Sequence, residues 1–138
     1  MADTLKLEIV TPETTIYSED VEMVTLPGSE GEAGIYPNHV PLMTRVQAGE
    51  IIVNRGGTEE VVAIGEGFAE ITGDHIAILT DNAANSADID EAAAEEAKAK
   101  AEQRLEEGGD VSEEEAKALT QAILYSQAQI KAKNRKRG

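Results

Sequence analysis

Two histidines, 27 carboxylates and no cysteine are the groups with which this 138-residue chain could do chemistry. The lack of cysteine excludes a thiol nucleophile, a disulfide framework and a Cys-ligated zinc or iron–sulfur centre. His39 and His75 are too few for a His-rich metal site. His39 lies between Asn38 and Val40 in a proline-rich loop with no obvious nucleophile beside it, so a loop-fixing hydrogen bond or a contact role suits it better than general-base work. His75 follows a Gly-Asp turn and reads as exposed strand polarity. Asp88 and Asp90 resemble the start of a calcium loop, but the required Gly and distant Glu are missing. Neither the G-x-x-x-x-G-K-[ST] phosphate loop nor G-x-G-x-x-G nor the G-x-S-x-G elbow occurs. Acidic pairs such as Glu59-Glu60, Glu95-Glu96 and Glu106-Glu107 fall in turns or on a solvated helix face. No catalytic set, metal or cofactor is expected, and the residues alone describe a non-catalytic interaction protein.

The elements that must carry such surfaces divide in two. All four prolines lie at or before Pro41, nine of the twelve glycines lie at or before Gly73, and neither residue type occurs between Gly73 and Gly108. This shift marks a boundary near 81–88. Leu5, Leu7 and Ile9 alternate with Lys6 and Glu8, the period-2 pattern of a strand with one buried face. Further runs rich in Val, Ile or Thr at 21–26, 50–53, 59–64, 68–72 and 75–79 predict more strands. Gly73-Asp74 and Arg55-Gly56-Gly57 are turn signals, because Gly supplies the positive φ of tight hairpins. Many short strands joined this way suggest an antiparallel sandwich or barrel over 1–84. Beyond it, Asp88 with Glu91 and Ser112 with Glu115 resemble capping boxes, and Gly108-Gly109 is a stop. Helices are expected over about 88–106 and 113–133, folded back as a hairpin within 85–138.

The expected facing rows are small: Ile89, Ala93, Ala97, Ala101 and Leu105 on the first helix, Ala116, Leu119, Ile123 and Ile130 on the second. Large apolar side chains contribute roughly 1.5–3 kcal/mol each when fully buried, and this hairpin has few. Two readings stay open, a permanently docked hairpin and one that persists as helix yet can undock. Charge is segregated as well. Residues 1–84 carry net −12, residues 85–130 net −8, and residues 131–138 net +5, giving −15 in all. The acidic bulk argues against nonspecific binding to nucleic acid or an anionic membrane. The basic end either faces the negative pole of its own helix or is aimed at an acidic partner. No apolar run approaches the roughly 20 residues of a bilayer span, and the first residues show no signal-peptide pattern, so a soluble, unexported protein is expected.

The stretch Pro27-Gly28-Ser29-Glu30-Gly31-Glu32-Ala33-Gly34-Ile35-Tyr36-Pro37-Asn38-His39-Val40-Pro41-Leu42 resembles the signature of the epsilon subunit of F-type ATP synthase. Val46-Gln47-Ala48-Gly49-Glu50-Ile51, Gly67-Phe68-Ala69-Glu70-Ile71, Ile78-Leu79-Thr80-Asp81-Asn82-Ala83 and Asp88-Ile89-Asp90 continue the resemblance, in order, along essentially the whole chain. It implies an antiparallel ten-stranded β-sandwich followed by a two-helix hairpin. It also implies a non-catalytic place in the central stalk, bound to the gamma subunit and the c-subunit ring, at the cytoplasmic face of a bacterial inner membrane and attached to it only through the complex.

The resemblance assigns residues one by one. Glu30, Gly31 and Glu32 match the loop that meets the c ring, and His39 matches the loop His near the gamma and c contacts. Lys131, Lys133, Arg135 and Lys136 match the basic helix that, when extended, approaches an acidic part of the beta subunit in the alpha/beta catalytic sector and suppresses ATP hydrolysis. Some members bind ATP through an Ile/Leu-Asp-x-x-Arg-Ala motif. Here Ile89 and Asp90 are retained but Ala93 replaces the Arg, and no Lys or Arg falls between Lys117 and Lys131. Phosphates need cationic donors, so no useful ATP binding is expected. Two other readings compete: a small enzyme using His39, and a soluble acidic adaptor with a basic C-terminal tail.

Overall fold

The computed structural model describes residues 4–28 and 31–135. Ten strands form two five-stranded sheets around one apolar core. The first sheet contains β1 (Leu5–Val10), β2 (Thr15–Val21), β5 (His39–Val46), β8 (Gly67–Gly73) and β9 (His75–Thr80), in the order β2-β1-β9-β8-β5. The second contains β3 (Met23–Gly28), β4 (Gly31–Ile35), β6 (Gly49–Arg55), β7 (Thr58–Ile64) and β10 (Ala83–Asn85), in the order β10-β7-β6-β3-β4. A 3₁₀ turn over Ser86–Asp88 leads into α1 (Glu91–Glu107) and α2 (Glu113–Arg135).

The period-2 pattern of β1 does what it predicts: Leu5, Leu7 and Ile9 are buried between the sheets beside Ile76 and Ile78 of β9. Gly56 and Gly57 adopt φ of 59° and 79°, the left-handed pair a two-residue hairpin turn requires, and Arg55 faces Thr58 across it. Gly67 answers a different need. A Cβ there would lie 2.0 Å from the carbonyl oxygen of Leu79, so β8 can approach β9 this closely only without a side chain.

Two expectations are corrected and one is refined. The run 21–26 is not one strand. Val21 ends β2 in the first sheet and β3 begins at Met23 in the second. In a straight strand Val21 and Val24 would face opposite ways; the break at Glu22 lets both enter the core. The expected antiparallel ten-stranded sandwich followed by a two-helix hairpin is what the chain forms, with one refinement: β1 and β9 pair in parallel from Lys6 opposite His75 to Val10 opposite Leu79. The chain crosses between the sheets several times between β2 and β8, so β1 and β9 are not joined by a hairpin and are free to run the same way. Finally, α1 starts later than predicted. Asp88 closes the 3₁₀ turn and Ile89 is extended. Asp90 is the N-cap, its Oδ1 accepting a hydrogen bond from the Ala93 amide at 3.2 Å. The Ser112 cap stands: its Oγ accepts from the Glu115 amide at 3.1 Å. The Glu115 carboxylate turns instead to Arg104 of α1, 3.1 Å away, and ties the two helices together.

The facing row of α1 is also displaced. Ala94 and Ala101 are buried, with Lys98 and Leu105 partly so, whereas Ala93 and Ala97 are exposed. On α2, Ala116, Leu119, Ile123 and Ile130 are partly buried and Ser126, Ala128 and Ala132 fully. The residues expected to divide the domains, 84 and 85, both lie within β10.

Candidate functional interfaces

The hairpin lies on the outer face of the second sheet. Along β6 and β7 the inward residues Ile51, Val53, Val62 and Ile64 join the sandwich core, while the outward Val61 and Ala63 form a second cluster with Ile89, Ala128 and Ala132. Tyr125 packs against this pad, and its burial raises the phenol pKa above the ordinary value. Both faces of these strands are covered, which is why 50–53 and 61–64 read as nearly continuous apolar runs.

One charged residue interrupts that pad. Glu50 of β6 stands opposite Ala63 on β7, and its side chain is only 5% exposed. Arg135 Nε donates to its Oε2 at 3.1 Å, and Lys131 Nζ lies 3.7 Å from its Oε1. Two cations one helical turn apart thus close on a single carboxylate. Lys133 donates to the Ser86 carbonyl oxygen at 3.5 Å, and Asn134 donates to Glu91 at 3.0 Å. Three of the four residues expected to meet an acidic partner are therefore engaged within the chain, and Lys136 lies outside the described residues. The sequence reading did not single out Glu50 as a site residue; its acid at the head of Ile51-Ile52-Val53 was the available signal.

Among the described residues the outer face of the first sheet has no such cover. Strand register lines up Val10, Leu79, Phe68 and Arg45 across β1, β9, β8 and β5. Phe68 and Leu79 are about half exposed, and the Arg45 guanidinium carbon sits 5.6 Å from the centre of the Phe68 ring. Met43, two residues along β5, is 66% exposed. A shallow depression of about 460 Å³ runs beside this row, edged by Pro12, Glu66 and Asp81. The row was not predicted. It became visible only when register placed four separate strands side by side.

The signature loop occupies one corner. Gly28 of β3 pairs with Gly31 of β4; Gly31 and Glu32 are exposed, and Glu30 lies outside the described residues. His39 opens β5 opposite Gly73. Beside it Asn38 adopts φ 65° and its amide donates to Asp74 Oδ1 at 3.2 Å, pinning this loop to the β8–β9 turn. His75, expected to be plain strand polarity, shares a 2.6 Å hydrogen bond with Glu8 of β1. On the opposite flank the Tyr17 hydroxyl donates to Glu60 at 2.6 Å, and Arg55 bridges Glu60 and Glu19 at 3.3 and 3.1 Å, joining the two sheets. Burial first, then this hydrogen bond, pushes the Tyr17 pKa well above its usual value.

Among the described residues no group of three His, Asp or Glu is placed to hold a metal ion, and no helix is long and apolar enough to cross a membrane. Asp90 of the partial nucleotide motif is committed to its cap, and Ile89 to the hairpin pad.

Comparison with known proteins bears on the family and the fold. A family model described as the beta-sandwich domain of the ATP synthase delta/epsilon chain matches residues 4–86. The chain is 40% identical over 131 residues to the ATP synthase epsilon chain of Laribacter hongkongensis, covering 94% of this chain and 92% of that one. It is 43% identical over 109 residues to the ATP synthase epsilon chain of Desulforamulus reducens, covering 79% and 83%. Its fold is similar to a chain in a structure of the Euglena gracilis mitochondrial ATP synthase comprising OSCP, F1 and c-ring, with a TM-score of 0.71 at 22% identity over 91% of this chain and 78% of that one. A chain in the central stalk and c-ring structure of the Tetrahymena thermophila enzyme gives a TM-score of 0.58 at 10% identity over 92% and 97%. At such identities these two likenesses concern the fold alone.

Proposed function

The chain belongs to the ATP synthase epsilon-chain family, whose members are non-catalytic, and from that premise we propose that it turns with the central stalk, links ion flow through the membrane sector to nucleotide chemistry, and restrains ATP hydrolysis through its hairpin. The row of exposed Leu79, Phe68 and Arg45, with half-buried Val10 at its end, carries this reading, because it is the broad apolar strip of sheet that the hairpin leaves uncovered. An aromatic and aliphatic strip with an Arg at its edge has the composition of an interface core. We assign it to the gamma subunit.

Gly31 and Glu32, on the exposed corner, meet the polar loops of the c ring, and Glu30 and His39 join them by resemblance. Lys131, Lys133, Arg135 and Lys136 meet the beta subunit of the catalytic sector when the hairpin extends. The complex then holds the protein at the cytoplasmic face of the bacterial inner membrane. Phosphate donors are wanting around Asp90, so ATP is not the signal that sets the hairpin's position.

The test is ATP hydrolysis by the cognate catalytic sector depleted of this subunit, with the full chain titrated back. Full chain is expected to rebind and inhibit. Phe68→Glu is expected to weaken rebinding at least tenfold, whereas replacing Lys131, Lys133 and Arg135 by Gln should leave rebinding intact and relieve inhibition. Undiminished rebinding of Phe68→Glu would move the gamma contact elsewhere.

A further inference from the structure

Glu50 occupies a position where a carboxylate has no business on stability grounds alone. The outward face of β6 and β7 around it is apolar, its side chain is almost completely withdrawn from water, and α2 forms its roof. Among the described residues, the ion pairs that join α2 to the sheets all end on this one group. Beside them stand the Lys133 hydrogen bond to the Ser86 carbonyl and the packing of Ala128, Ala132 and Tyr125 with Ile89, Ala84, Val61 and Ala63, mostly small side chains. The charges are unequal, since one carboxylate faces two cations.

We infer that Glu50 is the latch of the hairpin: docking and engagement of an acidic partner compete because both draw on Arg135, with the largely exposed Lys131 beside it as the weaker member of the clasp. The second half of this statement rests on the proposed role of the C-terminal cations; the first half does not. While α2 is docked, the Arg135 guanidinium is held on Glu50 at 3.1 Å and Lys131 reaches the same carboxylate at 3.7 Å from a side chain that stays 75% exposed, so an acidic protein surface must compete with Glu50 chiefly for Arg135. When α2 leaves, the two cations and Glu50 become solvated together, so no charge is stranded in apolar surroundings and the pair can open without unfolding either domain. A carboxylate on the sheet therefore sets how readily the helix is released to a carboxylate elsewhere.

Glu50→Gln tests the latch in the isolated full chain. It keeps the volume and most hydrogen bonding while deleting the charge. Hydrogen exchange of the α2 amides over 126–135 should accelerate roughly 10- to 100-fold, the scale of one charge-assisted hydrogen bond. Amides of β1 and β9 should exchange as before. Raising salt should speed α2 exchange in the unaltered chain and have little effect in the variant. Gln at both 131 and 135 leaves the sandwich sequence untouched and must accelerate exchange at least as much, because the docked state then holds Glu50 buried without a cation, which guards against a folding defect at Glu50. Unchanged α2 exchange in both variants would overturn the latch and leave the stalk assignment standing, since no partner enters the measurement.

The exchange of partners is read in the reconstituted catalytic sector. Glu50→Gln should inhibit hydrolysis at a concentration lower than the unaltered chain by a factor similar to the gain in opening. Faster opening with unaltered inhibition would overturn the competition. Failure of the unaltered chain itself to inhibit would overturn instead the inhibitory role on which it rests.

Discussion

The sandwich and the hairpin hold themselves together by different means. Inside the sandwich, Leu5, Leu7, Ile9, Ile64, Ile71, Ile76 and Ile78 are essentially inaccessible and belong to one cluster spanning both sheets. Within the helices the buried residues are Ala94, Ala101, Ser126, Ala128 and Ala132. Each large sandwich residue withdraws several times the apolar area of an alanine, at roughly 25 cal/mol per Å². Most of the apolar burial of the sandwich thus lies between its own sheets rather than under the hairpin. The hairpin has caps, Ala-rich helicity and an Arg104–Glu115 pair of its own, yet adheres through a small pad and one clasp. Apolar burial within the sandwich exceeds that between sandwich and hairpin, the condition under which the proposed release of the hairpin leaves the sandwich folded.

Three substitutions sharpen or break that contrast. Ile78→Ala, at a fully buried position of β9, is expected to lower the stability of the sandwich by about 2–5 kcal/mol, seen as a fall in the denaturant midpoint. A loss below about 1 kcal/mol would mean that the core is looser than its burial indicates. Ala132→Leu forces extra volume into a site with no accessible surface between α2 and the sheet, a misfit worth about 1–3 kcal/mol. It should expose the α2 segment to limited proteolysis while leaving the sandwich transition in place. A shifted sandwich transition would show that the two units do not melt independently.

Tyr17→Phe should have the smallest effect, about 1 kcal/mol at neutral pH from the lost hydrogen bond to Glu60. Its signature lies in alkali. The folded state holds the Tyr17 proton above the ordinary pKa near 10, so the associated stability is fully present below that value and declines as pH rises beyond it, when the unfolded chain ionises first. Stability measured from pH 9 to 11 should fall less steeply in the Phe variant. Equal slopes would remove the Tyr17–Glu60 bond as a significant tie between the sheets.

Much of the architecture was legible along the chain. The strand alternation of 5–9, the Gly56-Gly57 turn, the Ser112 cap and the Gly108-Gly109 stop all depend on residues within four positions of one another, and short-range sterics and hydrogen bonds decide them. The composition shift likewise separated sheet from helix. The signature loop was legible as resemblance, although nothing local to it says what it touches.

Local signals along the chain thus mark β1, most of β3, β6 to β9, both helices and several turns, whereas β2, β4, β5 and β10 carry no pattern that marks them out. Tertiary structure alone decided the parallel union of β1 with β9, the break that lets Val21 and Val24 share one core, the row from Val10 to Arg45, and the burial of Glu50 under Lys131 and Arg135. Glu50 and Arg135 are 85 residues apart, and nothing in the neighbourhood of either indicates the other. Such pairings arise from how two sheets close and where the hairpin comes to rest. They are fixed by the summed burial of many residues rather than by the preference of any one.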